Sequence, residues 1–87
     1  MTDRPEIEPG DWIQVGSRDC VVANVREAGN SLGDCEVVFN SSKPTNCDVL
    51  WDGEKWAFVS SDLGGYADRY EHLNDAVWTL KRGRWAR

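Results

Sequence analysis

The chain has little of what catalytic and metal-binding domains usually carry. It has a single histidine, His72, and three cysteines, Cys20, Cys35 and Cys47, none of them in a C-x-x-C or H-x-x-x-H pair. Structural zinc draws its ligands from such close pairs, and a disulfide framework uses an even, closely spaced set. The three sulfurs therefore read as free thiols acting as small apolar core residues, and metal ligation would need all three thiolates completed by His72. No serine or cysteine stands at a motif spacing from His72 that would mark an activated nucleophile. No long apolar run is present, and the first ten residues lack the basic start and apolar stretch of a secretory signal. A cytoplasmic, non-membrane protein is the expectation. Neither an internal repeat nor a low-complexity segment divides the chain, and no motif implies a cofactor.

Positive charge is also scarce. Ten lysines and arginines face fifteen aspartates and glutamates, for a net charge of −5. Most of such a surface repels phosphates, which argues against a nucleic-acid partner. The imbalance is uneven along the chain. Lys81, Arg82, Arg84 and Arg87 fall in the last seven positions, so residues 1 to 80 hold six basic and fifteen acidic groups, or −9. A cationic end on an acidic body suits an anionic partner or the acidic face of a second copy, or else places basic residues favourably at a helix C-terminus.

What the chain does have is tryptophan: five in 87 residues, at positions 12, 51, 56, 78 and 85. A domain of this size removes only about 60 to 65% of its unfolded surface from water, too little to enclose five indoles easily. Trp joins a large apolar body to one N–H donor and is enriched at binding surfaces and subunit contacts, so the count points to recognition.

Residues 1–10 read as a flexible acidic leader punctuated by Pro5 and Pro9, and residues 11–87 as a single small globular domain. Trp12 to Val15 alternates in the period of a half-buried strand, and Gly16 to Asp19 is turn-forming. Cys20 to Val25 resumes with Val21, Ala23 and Val25 on one face and Cys20, Val22 and Asn24 on the other. After a polar reversal, Cys35 to Asn40 sets Cys35, Val37 and Phe39 opposite Glu36, Val38 and Asn40. Cys47 to Trp51 and Trp56 to Ser60 flank Asp52-Gly53, a strong hairpin signal. If the loop is Asp52 to Lys55, Trp51 and Trp56 face each other, and Val49 lies opposite Phe58.

Beyond Ser60 the period changes. Asp68 with Glu71 three residues on makes an acidic capping box, and Tyr70, Leu73, Ala76, Val77 and Leu80 follow a helical apolar stripe closed by Lys81, Arg82 and Gly83. The spacing predicts a helix from about Arg69 to Arg82, with a final strand over residues 76–80 as the competing reading. The fold expected is α+β: a five-stranded twisted antiparallel sheet, or SH3-like partial barrel, with a C-terminal helix.

Three candidate sites emerge. Trp51, Trp56 and Tyr66, with Asp52 and Glu54 nearby, could form an aromatic wall for a cation or a peptide side chain, or pack as cross-strand pairs. Trp78 falls off the helical stripe, and with Trp85 and Arg82 it makes a candidate subunit interface, a two-fold dimer being the commonest assembly. Gly64-Gly65 before Asp68 could approach an anion but lacks the full phosphate-loop pattern, so a tight entry turn with Asp68 as cap is the plainer reading.

The stretches Gly10-Asp11-Trp12-Ile13, Asp48 to Phe58, Gly64 to Arg69 and Leu80 to Arg84 resemble a group of small uncharacterised bacterial proteins that includes products of integron gene cassettes. The resemblance covers most of the chain beyond residue 10 and implies a bacterial, mobile-element setting with no activity attached. The strand order is similar to SH3-like small barrels, which serve mainly as binding modules. Among these are the plasmid-borne trimethoprim-resistant dihydrofolate reductases, whose active-site run Val-Gln-Ile-Tyr is echoed only by Ile13-Gln14-Val15, without the tyrosine. Residues and resemblance together suggest a non-catalytic binding protein of unknown small-molecule or peptide ligand that self-associates through exposed tryptophans. The alternatives are a small oligomeric enzyme with its site on a symmetry axis, and an accessory partner of another host protein.

Overall fold

The computed structural model describes residues 3–27, 30–59 and 65–82. Five strands follow in order: β1 (Trp12–Val15), β2 (Arg18–Val25), β3 (Cys35–Asn40), β4 (Pro44–Trp51) and β5 (Trp56–Phe58). Each pairs antiparallel with the next, and β1 pairs with β5 to close a barrel. Chain direction reverses at each of four connections, so the first and fifth strands run the same way and their seam is parallel. That seam rests on the single register pair Val15 and Trp56. The result is a closed small barrel with one C-terminal helix, as an SH3-like barrel implies, and closed where a twisted sheet or partial barrel is the expectation.

Closure explains why the strand pattern buries both faces. Val15, Cys20, Val22, Cys35, Val37, Phe39, Cys47, Val49 and Trp56 fill the interior, with Ile7, Ile13, Trp51 and Phe58 packed against them. On the outer wall Val21 and Val38 join Ala67, Leu73, Ala76, Val77 and Leu80 in a second cluster, which Trp12 and Ala23 flank. A half-open sheet would leave one of these faces wet; here the C-terminal segment covers the outside of β2 and β3.

The strand bounds differ from expectation at the turns. The reversal after β1 needs only Gly16 and Ser17, so β2 starts at Arg18. Gly16 takes φ of 64°, which glycine adopts without the Cβ clash other residues meet. Pro44 to Asn46, which precede the strand expected from Cys47, extend β4 and pair with Val38 to Asn40. Val22 pairs with Val37 and Asn24 with Glu36, so Ala23 is an extra residue forming a β-bulge. Strict alternation would turn Asn24 inward beside Cys20 and Val22; the bulge turns it outward to Glu36.

The expected helix from Arg69 is shorter. Two 3₁₀ turns, Ala67–Arg69 and Glu71–Leu73, precede α1 (Asn74–Arg82), and the alternative strand over 76–80 is not formed. Asp68 makes no side-chain cap, and Tyr70 between the two turns is extended at φ −116° and ψ 114°. Packing supplies the reason. Ala67 and Leu73 are both fully buried against the barrel, yet on a continuous helix of 3.6 residues per turn they would point roughly 120° apart. The break lets both face inward and leaves Tyr70 41% exposed instead of on the buried stripe. The rest of the stripe, Leu73, Ala76, Val77 and Leu80, is buried as its spacing implies.

Leader residues 3–10 lie along the barrel. Ile7 packs on the interior cluster, and Arg4 donates to the Arg26 carbonyl at 2.7 Å and reaches the Asp34 carboxylate at 3.4 Å. Asp34 in turn accepts from the Trp51 backbone N–H at 2.6 Å. The glycine before it, Gly33, has φ of 116°, and a Cβ there would come within 2.8 Å of the Val49 carbonyl oxygen.

Candidate functional site

The aromatic hairpin is built as its spacing implies. Trp51 pairs with Trp56 and Val49 with Phe58. The two indoles meet edge-on, with centroids 5.3 Å apart and planes at 66°. Trp56 belongs to the barrel interior, while Trp51 is half-buried at its edge. Asp52 Oδ1 accepts from the backbone N–H groups of Glu54 and Lys55, both at 2.9 Å. Those donors, Lys55 first, hold the Asp52 carboxyl below its ordinary range and commit it to the turn.

Tyr66 does not join this pair. Its backbone bridges to Thr45, six residues before Trp51 along β4, which in an extended strand is about 20 Å away. Trp51, Trp56 and Tyr66 therefore do not make one wall. Tyr66 belongs to a different surface, where Lys43 Nζ lies 5.0 Å and the Arg69 guanidinium 5.3 Å from its ring centroid.

That surface continues onto the helix. Next to Lys43, a shallow pocket of about 260 Å³ is lined by Asn40, Pro44, Leu80 and Lys81. Lys81 Nζ stands 5.9 Å from the Trp78 ring, and Arg82 Nε donates to the Trp78 carbonyl over 3.5 Å. Trp78 is 58% exposed, off the buried stripe as the helical projection implies. Tyr66, Lys43, Lys81, Trp78 and Arg82 thus form one aromatic and cationic pole on an acidic protein. Trp85, Gly64, Arg84 and Arg87 lie outside the described residues.

A third arrangement was not foreseen. Glu36 projects from the outer face of β3 and is only 8% exposed. Asn24 donates to its Oε1 at 3.0 Å and Asn46 to its Oε2 at 3.0 Å, and His72 Nε2 lies 3.1 Å from Oε1. Tyr70 crowds the imidazole edge-on, with ring centroids 6.1 Å apart. Burial pushes the Glu36 carboxyl up, but hydrogen bonds from Asn24, His72 and Asn46 and the His72 charge outweigh it and hold Glu36 below the usual range. The sequence signal was a lone glutamate in the apolar run Cys-Glu-Val-Val-Phe, since carboxylates are depleted from strands. Its partners were invisible because the bulge and a turn 36 residues away supply them.

The cysteines sit inside the barrel and His72 outside, so a three-thiolate site completed by His72 is not assembled. Burial pushes the Cys20 and Cys35 thiols up to about 12. Among the described residues no group of three or more His, Cys, Asp or Glu is placed to hold a metal ion, and no helix is long and apolar enough to cross a membrane. No protein-family model, curated protein or solved structure matches the chain.

Proposed function

We propose that this chain is a binding module built on an SH3-like small barrel, and that its first partner is a second copy of itself, met through the pole around Trp78. The observation that carries the reading is a tryptophan left 58% exposed on the outer face of α1. An indole so placed is the side chain most often found at the energetic centre of protein contacts.

Charge supports the choice of a second copy. Helix α1 carries Asp75 in its first turn and Lys81 and Arg82 in its last. Two such helices packed antiparallel about a two-fold axis bring the acidic start of each beside the basic end of the other, with Trp78 between them. An isologous contact of this kind is self-complementary by construction. The cytoplasm suits three unpaired thiols, and a bacterial mobile-element setting rests on the resemblance of sequence pattern alone.

The test is acrylamide quenching of tryptophan emission across a dilution series. Wild type should become less quenchable as concentration rises, and Trp78→Phe should lose most of that dependence. Quenching independent of concentration in wild type overturns the reading.

A further inference from the structure

Between the leader, β2 and α1 lies a groove of about 230 Å³, walled by Pro9, Gly10, Ala23, His72, Asp75 and Thr79. Trp78 does not line it, and it was not among the sites the sequence suggested. Its floor is apolar and the polar side chains around it are His72, Asp75 and Thr79.

Glu36 is held as a carboxylate, and a carboxylate cannot donate a hydrogen bond. The proton in the 3.1 Å contact between His72 Nε2 and Glu36 Oε1 therefore sits on the imidazole. Above the pH at which the ring loses its charge, the neutral imidazole is therefore the Nε2–H tautomer, with a lone pair on Nδ1. Asn24 and Asn46 tie the carboxylate from its other sides, so the ring is oriented by a buried and already satisfied group. Among the described residues nothing engages Nδ1 or the Asp75 carboxylate. The Thr79 hydroxyl donates to the Asp75 carbonyl at 2.9 Å and so also turns lone pairs outward.

No described lysine or arginine lines the groove. Glu8 and Asp11 flank Pro9 and Gly10 along the chain, and the net charge of −5 adds a long-range attraction for cations. The volume is below the roughly 300–1,000 Å³ of drug-sized pockets, which selects a small guest over a peptide.

We propose that this groove binds a small organic cation, a protonated amine with a short apolar body, whose N–H groups donate to His72 Nδ1 and to the Asp75 carboxylate. The guest's hydrocarbon rests on Ala23 and Pro9. The site is separate from the Trp78 pole and requires no second copy, although Asp75 stands at the edge of both.

His72 is the only histidine, so a ¹⁵N-labelled sample gives one imidazole to follow by long-range ¹H–¹⁵N correlation. The probes are n-propylammonium, propionate as its anionic counterpart and 1-propanol as the neutral one, each titrated into wild type and into Trp78→Ser at mildly alkaline pH. The free protein should show the Nε2–H tautomer. Propylammonium alone should shift Nδ1 saturably in both backgrounds, at least as tightly in Trp78→Ser, where no basic helix end of a second copy competes for Asp75, and Asp75→Asn should weaken the binding about tenfold or more. Asp75 is exposed, and an unchanged melting curve confirms that the variant is folded. An Nδ1–H tautomer, equal shifts from all three probes, or unchanged affinity in Asp75→Asn overturns the proposal. Loss of dimer with retained ammonium binding would sink only the self-association reading.

Discussion

Asn24 stands directly opposite Glu36 across the β2–β3 ladder, and its amide donates to the carboxylate over 3.0 Å. The pairing exists because Ala23 is the extra residue of a bulge. Deleting Ala23 puts Asn24 directly after inward-facing Val22, so regular alternation keeps its amide outward, opposite Glu36. Asn24→Ala removes one donor from a charged acceptor and should cost about 1–3 kcal/mol. The deletion removes the bulge but keeps this donor, so the Glu36 carboxylate should stay paired with Asn24 in it. Thermal melts check this: Asn24→Ala should cost a similar amount in wild type and in the deletion background, and no effect in the deletion background would contradict the register.

Glu36 should make the fold acid-sensitive. Its carboxyl titrates below its ordinary value of 4.5, so the folded state holds the charged form more tightly than the unfolded chain does. The associated stability is fully present above pH 4.5 and is lost as pH falls through the lower folded value. Urea midpoints of wild type and Glu36→Gln should differ by a constant amount near neutrality and converge on acidification. A gap that widens toward low pH would show that the carboxylate is not stabilised by its three donors.

All three thiols should be inert until the barrel opens. Cys20, Cys35 and Cys47 are buried in the interior cluster, and the first two titrate at about 12, far above the pH at which a thiolate would react. A disulfide-exchange reagent should label native protein only at the rate of unfolding, and three thiols per chain in denaturant. A rapid native-state reaction at any of them would contradict the closed barrel.

Trp56 should matter more to stability than Trp51. Trp56 is 6% exposed and forms the parallel seam with Val15. Trp56→Ala should therefore cost about 3–5 kcal/mol, as for other buried aromatics. Trp51→Ala should cost less, and a double-mutant cycle should return a coupling of about 0.5–1.5 kcal/mol for the edge-on pair. Zero coupling would mean that the indoles share a face without interacting.

Much of this architecture was legible in the residues. Alternation alone marked β3, and Asp52-Gly53 located the tightest hairpin with its facing tryptophans. The helical projection placed Trp78 outside the buried stripe, where it is found. Three features were not legible, each for a tertiary reason. Which side Asn24 takes depends on a bulge that only its partner across the ladder reveals. The break at Tyr70 overrides a good capping box because Ala67 and Leu73 must both reach the barrel. Glu36 reads as a solvated strand residue until the chain brings His72 back onto it from 36 positions away. Tyr66 was grouped with the hairpin by residue type, whereas the bridge to Thr45 carries it to the other end of β4.

The central claim is that Trp78 is a contact residue, and sedimentation equilibrium tests it most directly. Wild type and Trp78→Ser are run side by side from low to high micromolar concentration. The account predicts reversible dimerisation of wild type within that range and a monomer throughout for the variant, whose melting should match wild type at dilutions where both are monomers, because Trp78 is in neither buried cluster. A monomeric wild type at the highest concentration, or a dimer that survives the substitution, would contradict it.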